Sequence, residues 1–361
     1  MSDVQKVKPE IEAKYKRTKL KGNEILISLV GSLGHIAKVK DEMIGWNVAR
    51  AVGVLPIANS FDSEWVYWFL KSPQAQNFVH GQATTSVQAT LNLKELQELQ
   101  IAYPDEKYRR SATEILSALD DKIELNRRMN QTLEQIAQTL FRQYFVDSIS
   151  QDNLPEGWKE GKLGEIVNVK GGTTPSTKQK EFWNGNINWT SPKDLSSLKS
   201  PVLLETEKKI TEAGLKKISS GLLPAGTLLL SSRAPIGYLA ITQVPVAINQ
   251  GYIAILCDNG YSNYFMLNWI KENMNLIIQN ANGSTFLEIS KTAFKNIDTI
   301  IPPVEVVAEF SRKVGSIYKR IILNEKEINT LTKTRDTLLP KLMSGEIDVT
   351  QAPKAYEQVL S

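Results

Sequence analysis

The chain has 361 residues, of which 42% are hydrophobic and 23% charged, and its net charge is +4. That length allows two or three domains with real cores, and the weak positive balance permits nucleic-acid binding without requiring it. The single cysteine, Cys257, excludes an internal disulfide and fits a reducing compartment. No run of 18 apolar residues offers a transmembrane helix, and the charged N-terminus lacks the apolar centre of a signal peptide, so a cytoplasmic location is expected.

In chain order, Ile25–Val39 and Gly45–Leu55 read as short strands and about Asp62–Phe78 as a helix. Asp105 to about Phe145 reads as a long amphipathic helix, with Ile115, Leu119, Ile123, Met129, Leu133, Ile136 and Leu140 on one stripe. Asn153–Val167, with Pro155 and Gly157, reads as a linker and the entry to a new domain. Val169–Leu195 is dense in Gly, Thr, Ser, Asn and Pro and reads as loops and turns. Two strands about a turn at Pro235–Gly237 follow, then a strand pair ending at Cys257, a helix over Tyr264–Ala281, and a short helical turn and strand within Thr292–Pro303. After the double proline, Val304–Ile347 reads as a second long helix, with Val314, Ile317, Ile321, Ile328, Leu331 and Leu338 on its stripe. Each long helix, at roughly 40 residues and 1.5 Å per residue, spans about 60 Å.

Much of this is said twice. ILISLVGSLGHIAKV (Ile25–Val39) returns as LLLSSRAPIGYLAIT (Leu228–Thr242), and GWNVARAVGVL (Gly45–Leu55) as AINQGYIAILC (Ala247–Cys257). TTSVQATLNL (Thr84–Leu93) returns as NGSTFLEISK (Asn282–Lys291), and DKIELNRRMNQTL (Asp121–Leu133) as KRIILNEKEINTL (Lys319–Leu331). Two equal stripes, each needing a partner, predict an antiparallel, coiled-coil-like helix pair. The fold class expected is therefore α+β, with two repeated units, two long spacer helices and internal pseudo-two-fold symmetry. The boundaries are 1–104, 105–150, 151–303, 304–347 and a tail at 348–361. Gly22 matches Gly226, so Met1 falls near Glu205 and the counterpart of Leu154–Leu204 is absent from the first copy. The first unit is expected to be incomplete, or to be completed by something else.

The order unit, long helix, unit, long helix resembles the specificity subunits of Type I restriction-modification systems. LPEGWKEGKLGEI, KGGTTPSTKQKEFWNGNINWTSPKDL, LLPAGTLLLSSRAPIGYLAI, NQGYIAI, LEQIAQTLFRQYFVD and TLLPKLMSGEIDV are similar too, over Ile11–Val349. The resemblance implies two target-recognition domains that read the halves of a split double-stranded DNA site. It also implies a helical spacer that sets the gap and docks two methyltransferase subunits and, in the full complex, two restriction subunits. Cofactors are expected only in those partners: S-adenosylmethionine, ATP and Mg.

Base edges are read by amide, hydroxyl and guanidinium groups, and phosphates are held by lysines, arginines, hydroxyls and backbone N–H groups. In the second copy, Thr173, Thr174, Ser176, Lys178, Lys180, Trp189, Thr190, Ser191, Lys193, Ser231, Ser232, Arg233, Asn249, Gln250, Ser284 and Thr285 put such groups in loops and at strand ends. The first copy offers Ser28, His35, Asn47, Arg50, Thr85 and Ser86, with Val30 where Arg233 stands. Each alone is equally an ordinary turn residue. His35 and His80 lie far apart with no ligand spacing around them, so no metal is expected. There is no GK[ST] phosphate loop, no Gly-x-Gly after a strand and no nucleophile elbow, so no catalytic residue is expected. The competing class is a coiled-coil scaffold whose units bind protein; a specificity protein with only its second domain working is a further alternative.

Overall fold

The computed structural model describes residues 6–82, 90–147, 149–150, 153–283 and 287–350. The chain divides into two units, one of residues 1–122 and 330–361, the other of residues 123–329. Each contains part of both long helices.

In the first unit a short helix α1 (Pro9–Glu12) precedes strands β1 (Ile25–Ser28), β2 (Ile36–Lys38) and β3 (Val52–Leu55), which form an antiparallel sheet in the order β2-β1-β3. Helices α2 (Ser60–Lys71) and α3 (Pro73–Gly81) follow, then α4 (Leu93–Leu96) and the start of α5 (Glu106–Phe145). The sequence predicts one helix over 62–78, but the chain breaks at Ser72. This residue is extended (φ −67°, ψ 151°) because Pro73 follows it, and its side chain caps α3 instead. Ile25 packs with Trp65, Trp68, Phe69, Leu116 and the α12 residues Leu339 and Leu342 (Val304–Ser344).

The second unit has β4 (Lys159–Lys162), α6 (Leu163–Ile166), β5 (Asn168–Lys170), β6 (Trp183–Thr190), α7 (Pro192–Ser196), β7 (Val202–Leu203), β8 (Lys208–Ile210) and α8 (Glu212–Leu215). Then come β9 (Leu228–Ser232), β10 (Ile236–Thr242), β11 (Ala247–Ile248), β12 (Tyr252–Leu256), α9 (Asn263–Glu272), α10 (Met274–Gln279), α11 (Lys291–Lys295) and β13 (Asp298–Ile301). Its main sheet runs β5-β12-β9-β10-β7, beside the smaller sheets β11-β6-β8 and β13-β4. Strand alternation gives the main sheet two buried faces. Leu228, Leu230, Ile253 and Ile255 join one core with α9 and α12; Leu229, Ala240, Tyr252 and Ala254 join another.

The repeat is therefore structural. β1 sits between β2 and β3 as β9 sits between β10 and β12. The difference lies at the edges: β12 is flanked by β5 and β10 by β7, whereas β3 and β2 have no further strand neighbour among the described residues. Both flanking strands belong to the segment that lacks a first-copy counterpart.

Three further expectations need correction. Val169–Leu195 is not all loop, since β6 occupies Trp183–Thr190; its Asn and Gly residues mask the alternation of Trp183, Ile187 and Trp189. The helix expected over Tyr264–Ala281 ends at Asn273, where φ −103° and ψ 22° leave the helical region, and α10 starts anew. Ile136 is not in the helix seam: it is 44% exposed, and Ala137 is buried instead.

The long helices run antiparallel in both units. In the first, the Tyr108 hydroxyl donates to the Leu342 carbonyl (2.8 Å) and Arg335 pairs with Asp120 (2.5 Å). In the second, Asn126 donates to Glu327 (2.9 Å), Asn130 to Glu325 (2.7 Å), and Tyr144 to Glu309 (2.8 Å). Of the predicted seam, Ile123, Val314, Ile321 and Ile328 are buried. Ile115, Leu119, Met129, Leu133, Leu140, Ile317, Leu331 and Leu338 are partly buried.

Candidate nucleic-acid interface

In the second unit, three strand ends converge on one end of the main sheet: the end of β9, the start of β12 and the end of β5. Their registers, Tyr252 opposite Ser231 and Ala254 opposite Lys170, fix this. Antiparallel pairing thus gathers loops that lie far apart in the chain. The Ser232 N–H donates to the Gly251 carbonyl (2.8 Å), the Thr174 hydroxyl to Gln250 Oε1 (2.7 Å), and the Asn249 N–H to the Thr190 carbonyl (3.1 Å). The Thr173 hydroxyl donates to the Lys217 carbonyl (2.7 Å) and accepts from the Ser219 N–H (3.1 Å). Reciprocal Asn282–Glu288 backbone bonds (2.9 Å each) lie at the same end, where the Ile289 N–H reaches the Ser232 carbonyl (3.0 Å).

Gly172 makes the loop after β5 feasible. A Cβ there would lie 1.9 Å from the Ile248 carbonyl oxygen, so only glycine lets the two backbones approach. The Lys291 side chain lies across the adjacent Gly171.

The sequence-predicted residues separate by exposure. Thr174, Ser176, Lys178, Lys180, Lys193 and Gln250 are exposed, while Thr173, Ser191, Arg233 and Asn249 are half-buried. Asn249 Oδ1 accepts from the Gly251 N–H (2.9 Å), and the Ser191 N–H donates to Asp194 (2.8 Å). Arg233 pairs with Glu288 at 3.4 Å, and Lys193 with Glu207 at 3.4 Å.

Four of the expected contact residues have side chains inside the protein instead: Trp189, Thr190, Ser231 and Ser232 are each at most 5% exposed. Thr190 meets Asp194 and the Tyr252 hydroxyl at 3.2 Å, and burial pushes the Tyr252 phenol far above its ordinary pKa. Ser231 closes the turn after β9, accepting from the Tyr238 N–H (2.8 Å) and donating to the Pro235 carbonyl (2.8 Å). Ser28 does the same in the first unit, accepting from the His35 N–H (2.9 Å) and donating to the Ser32 carbonyl. Hydroxyls used in this way twice over are turn-builders.

Elsewhere in the first unit His35 and Arg50 are exposed, and Asn47 accepts from the Thr18 hydroxyl (3.3 Å). Thr85, Ser86, Ser284 and Thr285 lie outside the described residues. Lys217, through its carbonyl, and the side chains of Glu288 and Lys291 also stand at this end of the sheet, where the sequence did not point to them. The repeat alignment could have pointed to Glu288, since it matches Thr90 and both bridge to matched residues just past the central strand: Val30 to Thr90, Arg233 to Glu288.

The family described as the Type I restriction modification DNA specificity domain matches residues 1–135 and 155–333. The chain belongs to this family. Within this specificity family, the chain is 36% identical over 180 residues to the specificity subunit of the type I restriction enzyme MjaIX from Methanocaldococcus jannaschii. That match covers 49% of this chain and 41% of that subunit. The HindI specificity subunit from Haemophilus influenzae is 24% identical over 411 residues, covering 94% of this chain and 89% of that one. The fold is shared with the S subunit of a Type I restriction-modification system from M. genitalium, at 17% identity and a TM-score of 0.56 over 91% of this chain and 84% of that one.

Proposed function

We propose that this member of the specificity family is the DNA-recognition subunit of a Type I complex. It reads a bipartite, asymmetric double-stranded target through one loop cluster in each unit. The observation that carries this is the convergence of exposed amide, hydroxyl, lysine and guanidinium groups on one end of the second unit's sheet. The first unit has a matching but chemically different position there: Val30 stands where Arg233 does. Two stations of unlike chemistry suit two unlike half-sites.

In this reading the chain performs no chemistry. Methylation and cleavage reside in two adenine methyltransferase subunits and two restriction subunits, which bring S-adenosylmethionine, ATP and Mg. The antiparallel helices serve as the spacer and docking element, and the complex works in the cytoplasm.

Selection from a library of random DNA duplexes by the full chain, with its methyltransferase subunits present, tests the proposal. It should enrich two short elements at a fixed separation. Enrichment of no sequence would favour the protein-binding scaffold. Enrichment of a single element would leave only one recognition domain working.

A further inference from the structure

We propose that Arg233 and Glu288 act together as one base-reading pair, selecting a G·C step in the half-site read by the second unit. The inference rests on the DNA-reading function proposed above. The two residues oppose each other across an isolated antiparallel bridge just past the end of β9, and Glu288 is bridged in turn to Asn282, so the backbone fixes their spacing. Their side chains meet through a single 3.4 Å contact and are 39% and 47% exposed. A pair so exposed is held weakly and opens readily to another partner.

The carboxylate decides what that partner is. A position built to hold phosphate gains from arginine but is repelled by a glutamate beside it. The major-groove edge of G·C instead carries acceptors (guanine O6 and N7) next to a donor (cytosine N4), which matches a guanidinium beside a carboxylate. In the free protein each group occupies the other; on DNA, Arg233 donates to the guanine and Glu288 accepts from the cytosine. An adenine–thymine pair places its donor, adenine N6, between the acceptors N7 and O4, so Arg233 has no adjacent acceptor pair to bond bidentately there. The first unit has the same bridge with Val30 and Thr90, which carry no charge, so its half-site has no such requirement there.

The test is duplex-library selection by the full chain with its methyltransferase subunits, comparing the parent with Glu288→Gln and Arg233→Ala. The pair is partly exposed and meets through one long contact, so both variants should keep the parent's unfolding midpoint. The parent should require G·C at one position of one half-site. Glu288→Gln should lower that preference about tenfold and Arg233→Ala should remove most of it, with the other half-site unchanged. Variants that return the parent motif overturn the pairing. So does a uniform loss of affinity with a shallower salt dependence, which marks a phosphate contact. A parent motif with no G·C at the sensitive position refutes this inference alone, whereas a parent that enriches no sequence refutes the DNA-reading function beneath it.

Discussion

Gly172 and Asp62 show how single residues hold each unit in shape. Gly172→Ala must push the loop after β5 off the Ile248 carbonyl, and overpacking of this kind costs about 1–3 kcal/mol. The expected outcome is a lower thermal midpoint and weaker DNA binding. Gly171→Ala should be milder, because only the flexible end of Lys291 has to move. Equal midpoints for the two variants would contradict the close approach. In the first unit, the Tyr103 hydroxyl, Asn59 and the Arg109 guanidinium all bond to Asp62 and hold its pKa below the ordinary carboxylate value. Arg109 also stacks on the Tyr103 ring, 3.6 Å from its centroid. Because the folded pKa is depressed, the stability from Asp62 is fully present above about pH 4 and is lost as pH falls through the depressed value. Asp62→Asn should therefore flatten the acid limb of the first unit's stability curve below about pH 4. An unchanged acid limb would show that the lock is unimportant.

At the scale of elements, the helix pair was legible from its apolar spacing, and its bounds fell within three residues of the observed ones. Its polar layer was not. Asn126, Asn130 and Asn324 are at most 1% exposed and sit in the seam, where a search for apolar stripes passes over them. Asn324 donates to Asn130 Oδ1 at 2.8 Å. Removing one partner leaves a buried amide unsatisfied, so Asn130→Leu should cost about 1–3 kcal/mol. The double variant Asn130→Leu/Asn324→Leu should recover part of that loss, since it replaces both polar groups together. A double-mutant cycle on thermal or urea unfolding measures the coupling; strict additivity would contradict the layer. Short elements were read less well because tertiary pairing overrides composition: β6 is a strand despite three asparagines and a glycine, since β8 and β11 flank it. The candidate site was half legible. Lys178, Lys180, Lys193 and Thr174 are exposed, but Thr190 is buried, and Ser28 and Ser231 look identical to ligand-reading hydroxyls until their turn bonds are seen.

For the whole molecule, the duplication was the strongest signal in the sequence because it repeats strand order and long helices together. The edges of the first unit show what the duplication does not carry. Tyr103 stands at the position of Ile301, which is buried in β13 beside β4. Tyr103 is instead 57% exposed and is held by Asp62 and Arg109, so a polar lock occupies the place where the second unit adds a strand. Two units with one strand plan and different reading chemistry should give one asymmetric specificity. The most direct test is a genome-wide map of methylated adenines in cells that differ only in carrying this chain beside its methyltransferase subunits. The account predicts one new motif, made of two different short elements separated by a fixed number of unspecified base pairs. A continuous or palindromic motif, or a map that does not change with the chain, would contradict it.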